Sequence, residues 1–302
     1  MTKEGVLALD SYRLAQYAVQ APCYICGGGN TFNAELCRHC FAPMALAHQA
    51  NSQKVHPRII ATIGTSGVGK TVYLGMLMDM LSRQSERLQL LARGAFSISL
   101  QQNTARALAR REFPSKIPNE PDRWNWVHCQ VTGTKQKRPV DLIMPDMAGE
   151  AILEEVDHPH SYPVIRSLLT KSAGVLVLID ALKLQGGTFD QDYFAMKLLT
   201  YLMELDNHPK HGWANRPLGL VLTKADECED CFRDPNAYAQ AHASGLYQHC
   251  RKQFSNFKFF AAGVAGGCAY RTTRQGRERI PLRIEPRGII EPFEWLISQT
   301  KG

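Results

Sequence analysis

From Arg58 onward, short apolar runs alternate with longer stretches whose apolar residues recur at helical spacing. The runs predict strands over 58–63, 126–132, 140–145, 174–180, 217–223 and 257–262. The periodic stretches predict helices over 70–83, 99–111, 152–169, 192–205, 236–253 and 290–299. Val175 to Ile179 shows no polar alternation, as expected of a central strand covered on both faces. Strands and helices in this order predict an α/β fold, a mostly parallel sheet with helices on both faces.

The first 57 residues lack that rhythm. Residues 1–20 carry a short amphipathic pattern, with Leu7, Leu14, Tyr17 and Ala18 near one face. Four cysteines lie within 21–45, and the polar stretch 48–54 reads as a connection. The expected organisation is an N-terminal segment over 1–50, a linker over 51–57 and one large domain over 58–302. Between 94 and 125, Pro114, Pro118 and Pro121 predict an irregular second half, and connections this long are usually functional.

Composition narrows the class. With 44% hydrophobic and 21% charged residues the chain reads as soluble and globular. It has no run of about 18 apolar residues, so no membrane span is expected. Glu4, Asp10 and Arg13 break any secretory pattern at the start. Nine cysteines, four of them in a metal-type array, argue against a disulfide framework and for a reducing, cytoplasmic compartment. The net charge of +7 permits an acidic partner without requiring one.

Three motifs follow predicted strands. Gly64, Thr65, Ser66, Gly67, Val68, Gly69, Lys70 and Thr71 form G-x4-G-K-T between a strand and a helix, the context in which this loop cradles phosphates. Lys70 is expected to reach the β- and γ-phosphates and Thr71 to bind Mg2+. Asp146 and Gly149 form D-x-x-G: a carboxylate placed for Mg2+, and a glycine whose N–H can approach the γ-phosphate. Thr223, Lys224 and Asp226 form T-K-x-D. A buried Asp226 would accept from the N1–H and amino group of guanine, and adenine would leave it unpaired. The Lys224 stem is expected along the base, its head bracing the phosphate loop.

Taken together, these motifs resemble a Ras-like P-loop GTPase of the translation-factor-related class. Within it, the chain is similar to bacterial double-GTPase domains, some of which carry a zinc ribbon in front. The sequences Ile284-Glu285-Pro286 and Pro292-Phe293-Glu294-Trp295 add to that likeness. The resemblance implies a GTP/GDP–Mg2+ switch and a place in NTP-dependent conflict (defence) systems. The motif residues it carries over are those from Gly64 to Thr71, with Asp146, Gly149, Lys224 and Asp226. Several positions depart from the family pattern. Thr223 replaces the usual Asn. Glu150 follows the glycine where many relatives place a water-orienting Gln, which implies slow or partner-stimulated hydrolysis. Ala262, Gly263 and Val264 replace a Ser-Ala pair and offer the base only backbone contacts. For the missing threonine of the first switch, Thr104 and Ser115 are candidates, with Ile117 before Pro118. Two alternatives stand beside the switch: a non-hydrolysing nucleotide-binding scaffold, and a P-loop ATPase or nucleotide kinase.

Cys23, Cys26, Cys37 and Cys40 form C-x2-C-x10-C-x2-C, with Gly27 after the first pair. The spacing predicts a structural Zn2+ ribbon, all four positions filled by protein. Its loop has a single aromatic, Phe32, and a single charge, Glu35, so a protein partner is expected over nucleic acid. Cys228 and Cys231 have no second pair at metal spacing and read as free thiols. Arg271, Arg274, Arg277, Arg279, Arg283 and Arg287 read as a solvated loop or a partner surface. Arg106, Arg110, Arg111 and Arg123, near the first switch, are candidates for a cation acting in cis on the transferred phosphate.

Overall fold

The structure is a computed structural model and describes residues 20–83, 88–133, 139–187, 190–273 and 276–300. The amphipathic pattern expected over 1–20 lies almost wholly outside the described residues.

The chain opens with a small antiparallel pair, β1 (Gln20–Pro22) and β2 (Gly29–Thr31), followed by α1 (Ala45–Gln53). The polar stretch 48–54 is therefore mostly helical, and the linker expected over 51–57 begins as the last turn of α1. Leu46, Ala47 and Ala50 form its buried side. Ile25, Met44 and Leu46 share one continuous core with the large sheet, and the Tyr24 hydroxyl donates to the Pro57 carbonyl at 2.5 Å.

The sheet contains β3 (Arg58–Ile63), β4 (Leu88–Ala92), β5 (Asn125–Gly133), β6 (Val140–Asp146), β7 (Ser172–Asp180), β8 (Leu218–Thr223) and β9 (Phe257–Ala261). Their order is β4-β5-β6-β3-β7-β8-β9. Pairings among β6, β3, β7, β8 and β9 are parallel; β4–β5 and β5–β6 are antiparallel. The expected mostly parallel sheet is present. Strand alternation builds its two cores. Ile59, Ala61 and Ile63 face one side and Ile60 the other; Val175, Val177 and Ile179 oppose Leu176 and Leu178.

One face is covered by α2 (Lys70–Arg83), α3 (Ala95–Ala109) and α11 (Ile290–Gln299). The other is covered by α4 (Gly149–Asp157), α5 (Pro163–Lys171), α7 (Asp190–Leu205), α9 (Pro235–His242) and α10 (Ser244–Gln253). Short helices α6 (Ala181–Gln185) and α8 (Glu229–Arg233) complete the set.

Two predicted helices divide. The stretch 152–169 breaks before Pro163, which lacks the N–H a continuing helix needs and instead starts α5. The stretch 236–253 breaks at Ala243, whose φ of −142° leaves the helical region. The edge strand β4 escapes the pattern because its five residues alternate weakly, Gln89 and Leu91 facing solvent. The segment after β9 forms further strands: β10 (Gly263–Ala265) pairs with β13 (Ile284–Arg287), and β11 (Cys268–Thr273) with β12 (Gly276–Pro281). Among the described residues, no helix is long and apolar enough to cross a membrane.

Candidate functional site

Six residues turn the chain from β3 into α2. Gly67 and Gly69 have φ of +71° and +103°, left-handed values that disfavour any side chain. Lys70 is buried and folds back under the loop, its Nζ donating to the carbonyls of Gly64 (2.8 Å) and Thr65 (3.0 Å). Desolvation lowers its pKa to about 8, against the pull of Asp146 and Glu150. Gly149 abuts the same loop: a Cβ there would lie 2.3 Å from the Ser66 nitrogen. The D-x-x-G glycine is thus fixed by close backbone approach.

Asp146 ends β6, fully buried. Its Oδ2 accepts from Asn125 Nδ2 at 3.2 Å, while its buried Oδ1 has no protein partner. Burial raises its pKa, opposed by the nearby Thr71 hydroxyl, Lys70 and Asn125. An orphaned carboxylate oxygen beside a hydroxyl is a hard-oxygen pair of the kind Mg2+ takes, so these residues fit that ion.

A cavity of about 260 Å³ runs from this loop to the base motif. At the phosphate end, Lys116 Nζ lies 3.7 Å from Glu150 Oε1, and Ser115 lines the same wall. Burial acts to raise the Glu150 carboxyl, but the nearby Ser66 hydroxyl, its own backbone N–H, Lys116 and Lys70 prevail and lower it. Thr104 is excluded as a switch residue. It is buried where α3 crosses α2, its Oγ1 2.1 Å from where a Cβ on Gly75 would stand. Arg106, Arg110, Arg111 and Arg123 are exposed and line no part of the cavity; the cation facing Glu150 is Lys116.

At the other end, Thr223 Oγ1 lies 2.9 Å from the Val68 carbonyl and 3.1 Å from that of Ile179. Lys224, in the left-handed region at φ +58°, lines the cavity, but its ammonium pairs with Asp180 Oδ2 at 2.5 Å. The brace on the phosphate loop is therefore Thr223, not the Lys224 head as expected. Asp226 is held among close neighbours: a Cβ on Gly263 would stand 2.5 Å from its Oδ1. Burial raises the Asp226 carboxyl, opposed by its own backbone N–H and by Arg279.

Sequence reasoning missed two residues here. Phe113 and Arg279 line the cavity, the guanidinium 5.8 Å from the ring centroid. Arg279 pairs with Asp226 Oδ2 at 3.5 Å and with Glu227. Arg287 forks onto both oxygens of Glu229 at 3.0 Å and covers Phe232. The expected solvated arginine loop is instead a β11–β12 hairpin set within the β10–β13 pair, tied by Arg279 and Arg287 to acidic residues in and after the base motif; Arg274 and the Arg277 side chain lie outside the described residues. The signal available in sequence was the run Asp226, Glu227, Glu229 facing an arginine-rich segment of opposite charge.

The four ribbon cysteines converge as predicted. Cys23–Cys40 and Cys26–Cys37 sulfurs are 3.7 and 3.5 Å apart, and all four lie within 4.8 Å of one another. A tetrahedral Zn2+ with bonds of about 2.3 Å needs sulfurs about 3.8 Å apart, so the cluster fits that ion. Backbone N–H groups of Gly28 and His39 and the Asn30 amide point at the sulfurs, the outer contacts such a site requires. Gly27 has the expected positive φ, +78°. Cys228 and Cys231 are free, buried thiols, and Cys268 stands near Asp226 and Glu227 rather than near them.

Residues 61–190 match the family model Double-GTPase 1. The resemblance to double-GTPase domains is borne out. The matched double-GTPase span holds the whole phosphate loop and the D-x-x-G segment; it starts after the ribbon and stops before Thr223. Among solved structures, the chain is similar to a nucleolar GTP-binding protein 1 from Plasmodium falciparum (11% identity, 81% of this chain and 86% of that one, TM-score 0.41). It is also similar to the Arl6 BBS3 small GTPase from Trypanosoma brucei (12%, 81% and 97%, TM-score 0.41) and the Saccharomyces cerevisiae Ski7 GTPase-like domain (15%, 68% and 43%, TM-score 0.42). No curated protein matches the chain.

Proposed function

We propose that this protein is a guanine-nucleotide switch whose hydrolysis is slow or partner-stimulated. The observation that carries the reading is the single cavity wall joining the G-x4-G-K-T loop to the buried carboxylate of Asp226. Lys70 would release its hold on the Gly64 and Thr65 carbonyls to meet phosphate, and Thr71 with Asp146 would hold Mg2+, which neutralises phosphate charge when bound. Gly149, pressed on Ser66, couples the γ-phosphate position to α4. Lys116 and Glu150 join the two loops that would sense it. Glu150 is the candidate for orienting water; its pairing with Lys116 offsets the charge it would present to phosphate.

The zinc ribbon is proposed as a structural module that meets a protein partner, supported by the exposed aromatic side chains of Phe32 and Phe41. A role in a conflict system and a cytoplasmic site of action rest on the resemblance and on cysteine chemistry. Phosphate release from GTP by the zinc-loaded protein, abolished in Lys70→Ala, tests turnover. Tight GTP binding with release no faster than the Lys70→Ala background would favour the non-hydrolysing scaffold.

A further inference from the structure

Asp226 has to meet guanine as a carboxylate. Its oxygens can accept from both N1–H and the amino group only while ionised; the neutral acid would turn a donor toward a donor. The surroundings work against that state. The Asp226 side chain is 7% exposed, and burial favours the neutral acid. Glu227, next in the chain, adds a second negative charge beside it. The two thiols near this carboxylate, Cys268 on β11 and Cys228, bring no compensating charge: burial pushes Cys268 up to about 11 and raises Cys228 as well. The Lys224 ammonium pairs with Asp180.

Among the described residues, the cation paired with Asp226 is Arg279. Its terminal nitrogen lies 3.5 Å from Asp226 Oδ2 and also holds Glu227, so one guanidinium faces both acids. The arginine arrives on a fixed backbone. The hairpin that carries it is in register from Cys268–Pro281 to Thr273–Gly276. Its root is closed by the Leu282 N–H donating to the Gly267 carbonyl at 2.9 Å and the Gly266 N–H to that of Arg283 at 3.2 Å. On the cavity side the guanidinium packs near the Phe113 ring.

We propose that Arg279 is a positioning residue of the guanine site: from the β11–β12 hairpin it holds the Asp226 carboxylate in place and supplies the opposite charge that keeps it ionised for the base. This rests on the reading of the cavity as a guanine site. Arg279 acts through Asp226 and contacts no base atom, yet it makes the segment after β9 part of the nucleotide site.

The test is calorimetric titration of GDP into full-length, zinc-loaded wild type and Arg279→Gln across a pH series. Taking the ratio of the two affinities at each pH cancels the titration of the nucleotide and of Lys70. Without Arg279, a proton competes with guanine for Asp226. The ratio of wild-type to variant affinity should widen by about fivefold or more between pH 8 and pH 6, within the tenfold per unit that such competition permits. Arg279→Lys keeps a cation beside Asp226 and should hold the ratio nearly level. If Arg279→Gln fails to fold with Glu227 left unpaired, the same ratio is taken between Glu227→Gln and Glu227→Gln/Arg279→Gln, and should widen likewise. A ratio that stays constant with pH, or a Lys variant that follows the Gln profile, would overturn the proposal while leaving the guanine site intact. Failure of wild type to bind GDP at all would instead sink the reading beneath it.

Discussion

The Thr223 hydroxyl sits 2.9 Å from the Val68 carbonyl, so the base loop and the phosphate loop hold each other directly. Val68 is buried in the turn between Gly67 and Gly69, and Thr223 closes β8. A nucleotide spanning the cavity would therefore meet two loops whose separation is already set.

Thr223→Val keeps the shape but leaves two buried carbonyls without that donor. The expected cost is about 1–3 kcal/mol of stability, with weaker binding of GDP. Denaturant unfolding and calorimetric titration check both. Thr223→Ser, which retains the hydroxyl, should restore most of the loss; an unaltered Thr223→Val would show that the loops are positioned by other contacts.

Lys70 gives a pH signature. Its pKa of about 8 in the free protein is depressed by desolvation, so the ammonium is lost as pH rises through 8. Phosphate favours the charged form and raises that pKa, so binding takes up a proton above pH 8. GDP affinity should fall between pH 8 and 10, by up to about tenfold per unit. Stability of the free protein should move the other way. The unfolded lysine keeps its proton to a higher pH than the folded one, so stability rises with pH over the same window. Titrations at several pH values in buffers of different ionisation enthalpy measure the proton uptake.

The phosphate loop was legible because three glycines, a lysine and a strand–helix boundary all lie within a dozen residues. Five of the six predicted strands were legible for a related reason: buried parallel strands are apolar on both faces. Arg279 was not. It lies 53 positions after Asp226, and what brings them together is the β11–β12 hairpin, whose sequence shows charge and no apolar alternation. Lys116 was hidden likewise in an irregular loop, while the neighbouring arginines of α3 looked better placed on charge alone. The ribbon's ligands were plain from spacing, but not that Ile25 and Met44 pack into the main core.

Lys116 and Glu150 are solvent-exposed, so their pairing should add little to stability, within about 1 kcal/mol. Their effect should appear with the γ-phosphate. Lys116→Ala is expected to weaken a non-hydrolysable GTP analogue more than GDP, and to slow phosphate release. Equal effects on both nucleotides, or none, would remove Lys116 from the phosphate end.

The ribbon should bind one Zn2+ per chain, measured by native mass spectrometry. Because its buried residues belong to the core under the sheet, metal removal should lower the main thermal transition rather than melt the ribbon separately. Cys37→Ser should do the same without a chelator. A small separate transition, with the main one unmoved, would show the two modules to be energetically independent.

The central claim is that one cavity binds guanine nucleotide through Lys70 at one end and Asp226 at the other. Calorimetric titration of the zinc-loaded protein with GDP and ADP in Mg2+ tests it most directly, with Asp226→Asn and xanthosine diphosphate alongside. The account predicts GDP binding at least about a hundredfold tighter than ADP, and a shift toward xanthosine diphosphate in Asp226→Asn. Equal affinity for GDP and ADP, or binding to neither, would contradict it.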